Sequence, residues 1–459
     1  MFGGDCLLPH AEFMNTFDTY KLNVAVRIVL IGMVTGLVFH VFQGRILDKG
    51  YPYNTFLFLP VCRFSDFYDV LCSAKGWDPY SIWSIYFPFT YVIFHPLSAL
   101  SWPMVLACFF AVTLAGLWWC FFLILRTALF SVGRAVAGAC ILLGGTYPVF
   151  FCIDRGNIEL GLLLLVGGYL LAVRRHHYWT SLAFLVPAMC VKLYPAIFLV
   201  LLFRRGRLKY AVAAFSLFLL VTFASLTAFE HTWCQDLKLW QGQLAKYRMN
   251  YAVCNGSMGG SASLWNPVKL GIFAATKVKA VVTGQELPTK DEIAKNVEIA
   301  LAFYSILLVV LASAVTWHVS VIEREFWRKV LLLGLFMVMA PPGGADYKLV
   351  YVSLFLAIAI ALKVRRRFDL PVVVLLALVL IPKKYWFFPL IVTDSGALDA
   401  SLGVLLNPML MLAASGLLCC DGWYCSTVRG RALRWSHART ALAWWPPVRS
   451  ANTASLQDE

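Results

Sequence analysis

Residues 178–205 read YWTSLAFLVPAMCVKLYPAIFLVLLFRR. Two apolar runs, 178–191 and 195–203, lie between the basic segments RRHH (174–177) and RRGRLK (204–209). At a rise of about 1.5 Å per residue, neither run crosses a hydrocarbon core of roughly 30 Å. With cations at both flanks, the runs are expected to form a hairpin turning at Lys192-Leu193-Tyr194-Pro195. Non-helical backbone at that depth is tolerated only beside protein or a water-filled cavity. Lys192 is therefore expected to cap the inner wall of a cavity that opens outward. An ionisable residue inside a membrane is a functional candidate by default, and a compact ammonium suits a phosphate. The plainer alternative is a lysine snorkelling from a helix end.

The composition extends this reading to the whole chain. The 459 residues are 60% hydrophobic and 14% charged. Mean hydropathy is +0.74, whereas soluble domains are about a quarter charged. The apolar stretches are too long for barrel strands, so the expected fold is an all-α polytopic membrane protein. The formal charge of +15 does not point to nucleic acid. It is gathered in short inter-helix segments, as orientation in a bilayer requires.

Placing every basic cluster in the cytoplasm sets the topology. The spans fall at 22–44, 103–126, 133–152, 157–173, 178–191, 195–203, 209–229, 298–320, 330–341, 346–362, 370–382 and 399–419. That is a bundle of about twelve crossings, with residues 1–420 as one membrane domain and outer loops at 45–102 and 230–297. Segment 83–101 carries Pro88 and Pro96 and is expected to be re-entrant or interfacial. Residues 421–459 are expected to be a polar, basic, mostly disordered cytoplasmic tail. No clean signal peptide opens the chain. The cysteines show no metal spacing and read as small apolar residues, although Cys62/Cys72 and Cys234/Cys254 fall in outer segments.

With this threading, the chemically varied segments all fall on the outer face. Asp66 and Asp69, three apart, would share a helix face. They could serve as a general base and an orienting carboxylate, or be ordinary solvated acids. Asp154, Arg155 and Asn157 surround Gly156. They could cap a helix or, with its N–H groups, attract phosphate. Asp346, Tyr347 and Lys348 follow Pro-Pro-Gly-Gly and could bring a carboxylate and a second cation to the cavity. Asn255 and Ser257 lie in a glycine- and serine-rich loop able to hydrogen-bond a sugar or acceptor. No P-loop, dinucleotide fingerprint or metal-ligand cluster is present, so no cofactor or metal is expected.

DFYDVLCSAKGWDPY (66–80) and YFPFTYVIFHPLSAL (86–100) resemble the first outer loop of the polyprenyl-phosphate-sugar-dependent glycosyltransferases of family 87. The block 156–205 is similar to that family's Gly-Gln-x-Asn span, basic loop and Lys-x-x-Pro hairpin. Asn157 stands where the family has glutamine, and Asp346-Tyr347-Lys348 where it commonly has histidine. The resemblance implies a GT-C-like bundle with short outer-face helices in a bacterial inner (plasma) membrane, its active site facing the periplasm or exterior. It implies transfer of mannose or arabinofuranose from a polyprenyl-phosphate donor to a glycan or glycolipid hydroxyl, with inversion. Asp66 would be the general base. Lys192, Arg155, Asn157 and Lys348 would hold the donor phosphate. Asp154, Tyr194, Asn255, Ser257, Asp346 and Tyr347 would meet the sugar or acceptor. A transporter or flippase of lipid-linked glycans remains an alternative, as does a lipid-linked glycan ligase or polymerase. A transporter, however, would place its ionisable groups near the midplane rather than on one face.

Overall fold

A computed structural model describes residues 8–80, 85–128, 130–204, 206–254, 256–284, 289–362, 366–393 and 396–442. The chain opens with α1 (Leu8–Arg45), α2 (Ser65–Lys75), α3 (Pro88–Leu97), α4 (Trp102–Thr127), α5 (Val132–Gly144) and α6 (Tyr147–Arg155). It continues with α7 (Glu159–Arg174), α8 (Tyr178–Val191), α9 (Leu208–Leu226), α10 (Trp233–Tyr247) and α11 (Trp265–Thr283). Then come α12 (Lys290–Trp317), α13 (Phe326–Met339), α14 (Val350–Ile360), α15 (Asp369–Val379), the strands β1 (Trp386–Thr393) and β2 (Gly396–Ser401), and α16 (Leu402–Leu442).

Among the described residues, five helices are long and apolar enough to cross a membrane, or six if the bent pair α5–α6 counts as one. This does not establish the expected twelve crossings. Several expected spans are helices of 11 to 16 residues, shorter than a bilayer-crossing helix. The centre of the bundle is α14, all of whose residues are buried. Around it, α9 and α12 turn side chains such as Leu220, Phe223, Phe303 and Val309 outward. Apolar faces of that extent suit lipid, not water.

Local chemistry explains the breaks. The expected span 133–152 bends by 54° between α5 and α6, where Gly144 and Gly145 meet a helix start bearing Pro148. Segment 83–101 is not one span: α3 is ten residues long, begins on Pro88 and contains Pro96. The hairpin at 178–205 pairs α8 with a 3-10 helix, Tyr194–Leu202, and Lys192 between them is extended.

Two expectations need correction. The fold is nearly, not wholly, helical, because β1 and β2 form an antiparallel pair. Residues 421–442 continue α16 as helix, and 443–459 lie outside the described residues. The segment EREFWRK (323–329) is held in buried ion pairs. Arg328 is buried and pairs with Asp369 and, at 3.2 Å, with Asp421, joining α13, α15 and α16. Glu323 takes both arms of Arg366, at 2.7 and 2.8 Å. Cys62, Cys72, Cys234 and Cys254 are free thiols.

Candidate active site

The site begins with the way α2 meets the α6–α7 turn. Phe67, Val70 and Leu71 bury one face of α2, which leaves Asp66 and Asp69 on the other. Gly156 ends α6 in the left-handed region, with φ +63°. A Cβ there would lie 2.9 Å from Cβ of Phe67 and 3.1 Å from Cα of Phe64. Glycine thus permits both the turn and the close approach of α2. The Phe64 amide donates to the Asp154 carbonyl at 2.8 Å and locks the contact. The turn then delivers Arg155 and Asn157 to opposite oxygens of Asp66. Arg155 pairs with Oδ1, and the Asn157 side-chain amide donates to Oδ2 at 2.6 Å.

These residues line a cavity of about 320 Å³, large enough for a small ligand. Asp69, Tyr86, Tyr247, Tyr251, Tyr347 and Lys384 complete much of its wall. Partial burial raises the Asp69 carboxyl above the usual aspartate range; Asp66 beside it adds to this and Arg155 opposes it. The Arg155 guanidinium stacks on Phe58 at 3.9 Å. Gly256, Gly259 and Gly260 supply another wall. Their loop is pinned by Lys269, which donates to the carbonyls of Tyr251 and Cys254 at 2.9 and 2.7 Å.

Lys192 is one layer deeper and does not line the cavity. Its ammonium pairs with Glu159 at 2.6 Å and lies 4.9 and 5.3 Å from the ring centroids of Tyr86 and Tyr347. Glu159 is fully buried and also accepts from the hydroxyls of Tyr194 and Tyr351. Lys348 is buried beside them, 4.9 Å from the Tyr194 ring centroid. These groups form a closed floor in which Glu159 pairs with Lys192, one of the cations expected to await a ligand. Asp154 is turned to the loop before α2, accepting from the Phe58 amide at 2.9 Å and from Arg63 at 3.3 Å. Ser257 is buried, donating to Asn266 at 2.9 Å and accepting from Lys269 at 3.0 Å. Asp346 is buried and accepts from Tyr147 at 2.9 Å. Of the residues expected around a ligand, Asp66, Asp69, Arg155, Asn157 and Tyr347 meet at one cavity. Asn255 lies outside the described residues.

Residues 84–342, more than half of the chain, match the family model for Glycosyltransferase family 87. This chain belongs to glycosyltransferase family 87. No curated protein and no solved structure matches it. The family 87 match includes Arg155, Asn157, Glu159, Lys192 and Tyr247, while Asp66, Asp69, Tyr347 and Lys384 lie outside it. The protein is thus a glycosyltransferase with membrane-spanning helices, and it acts between a sugar donor and an acceptor.

Two functional candidates escaped the sequence reading. Glu159 was visible as a carboxylate opening an apolar span, the pattern that marks intramembrane ionisable groups. Lys384 follows Lys383 just after α15, at the end that the expected threading puts outside, where basic residues are disfavoured. Lys384 is buried, and its Nζ lies 4.3 Å from the Phe151 ring centroid. Burial pushes its ammonium down to about 8, against the opposing pull of Asp346 and Asp154.

Proposed function

We propose that this family 87 enzyme moves a sugar, mannose or arabinofuranose, from a polyprenyl monophosphate to an acceptor hydroxyl on the extracytoplasmic face, with inversion. The observation that carries this reading is the gathering of Asp66, Asp69, Arg155 and Lys384 around one cavity. A single displacement requires a base on the attacking side and charge stabilisation on the leaving side. Asp66, oriented by Asn157 and Arg155, takes the acceptor proton. The freed oxygen attacks the anomeric carbon, and the bond from that carbon to the phosphate oxygen breaks. The polyprenyl phosphate leaves with one more negative charge, which Lys384 stabilises in a site partly shielded from water. Asp69 holds the acceptor hydroxyl toward Asp66.

The test is incubation of purified enzyme with a panel of polyprenyl-phosphate sugars, scoring sugar lost from the lipid. Asp66→Asn should lower turnover on the active donor by about 10²–10⁴-fold, the usual contribution of a positioned base. Folded Asp66→Asn with near-wild-type turnover rejects the base assignment. Failure of every polyprenyl-phosphate sugar, with turnover of another donor class, rejects the donor.

A further inference from the structure

A second cavity, of about 120 Å³, lies at the other end of α7. Glu159 begins α7 at the catalytic floor and Arg174 ends it at this second hollow. Sixteen residues of helix separate the two by about 24 Å. Five cationic side chains line the hollow: Arg174, Arg204, Arg207, Arg324 and Lys329. No carboxylate is among its lining residues. Among the described residues, none of the five has a carboxylate within ion-pair distance. The nearest acids in sequence are otherwise engaged: Glu323 holds Arg366, and Glu325 accepts from the Arg328 amide.

Solvated arginines at a helix end need no explanation, but Lys329 does. Only 6% of it is exposed; Arg204 and Arg207 repel it, while Glu323, already held by Arg366, attracts it only from beyond ion-pair distance. A buried charge with no ion-pair partner is costly. We propose that this hollow binds the phosphate of an anionic phospholipid from the leaflet opposite the catalytic cavity. Arginine forks and a lysine match phosphate oxygens, and basic pockets between membrane helices hold anionic headgroups. The apolar part of the lining favours a lipid over a free anion. Val200, Phe203 and Phe326 share the hollow with the cations, and Phe203 opens to the outside, 47% exposed. The headgroup would bridge the α7–α8 connection, the end of the 3-10 helix and the start of α13, tying the arms of the Lys192 hairpin to the buried centre.

The experiment is native mass spectrometry of the purified full-length protein in detergent, titrated with phosphatidylglycerol, phosphatidylcholine or inorganic phosphate. Phosphatidylglycerol should be retained and phosphatidylcholine lost. Each cation beside an anionic headgroup contributes roughly fivefold in affinity, so Arg204→Gln should weaken retention about fivefold and Arg204→Gln with Lys329→Gln about 25-fold. Arg204 is exposed, so the single variant tests the proposal even if the double variant does not fold. Equal retention of phosphatidylcholine, or unchanged phosphatidylglycerol binding in Arg204→Gln, overturns the site. Displacement of phosphatidylglycerol by equimolar inorganic phosphate overturns the lipid assignment in favour of a soluble phosphate.

Discussion

Lys192 and Lys384 approach the same cavity from two regions that differ in one respect. On the floor, Lys192 meets a buried carboxylate, Glu159, and its charge is spent within the protein. On the wall, Lys384 rests on the Phe151 ring and faces the cavity. An out-of-place lysine therefore has two quite different meanings. The deciding feature is whether a carboxylate comes within ion-pair distance: Glu159 does for Lys192, whereas Asp346 and Asp154 act on Lys384 only from farther away. In this reading the floor supports the site, while the wall stabilises charge on a ligand.

The sharpest way to break this comparison is to remove the floor cation. Lys192→Ala leaves Glu159 buried and unpaired, which should cost roughly 3–5 kcal/mol of stability. Thermal unfolding in detergent checks this, and Lys192→Ala combined with Glu159→Gln should recover much of the loss. If Lys192→Ala keeps its stability but loses donor use, floor and wall exchange roles. Next in size is Lys384→Ala, which should lower turnover on donor by about 10²–10³-fold, as removal of one preorganised charge-stabilising donor does. Its unfolding midpoint should move less than that of Lys192→Ala.

Gly156→Ala should cost roughly 1–2 kcal/mol from backbone strain alone, and should also push α2 away from the turn. Activity should therefore fall with it, read as turnover in protein still folded at the assay temperature. The smallest effect is on pH. A Lys384 ammonium pushed down to about 8 is charged below that pH and neutral above it. Donor use should fall as pH rises through 8, by about fourfold half a unit above it. Lys384→Arg should abolish that alkaline limb because guanidinium does not titrate there. An unchanged limb in Lys384→Arg assigns it to another group.

Much of the fold was legible because bilayer chemistry writes itself along the chain. The apolar run 178–191 became α8 at those same residues. The prolines at 88 and 96 marked α3 as a short helix. The spacing of Asp66 and Asp69 was enough to put them on one face once α2 formed, because three residues is close to one helical turn. Other features were less legible. Strand pairing of β1 with β2 is a weak signal beside twelve apolar runs. Ser257 looked like a free hydroxyl in a flexible loop, but it is enclosed by Asn266 and Lys269.

Residue type and spacing alone pointed to a membrane-embedded helical protein, a break in the helix at the lysine-proline pair, and a family resemblance with an aspartate pair. Those properties depend on hydrophobic length and on neighbours three or four apart, both of which are local. Only the tertiary structure decided which charge answers which. Glu159 and Lys192 are 33 residues apart, and Asp66 and Asn157 are 91 apart. The same folding brought Lys384 to the cavity that α2 lines. An ionisable side chain takes its role from the charges and water around it, and these are assembled by packing between distant segments.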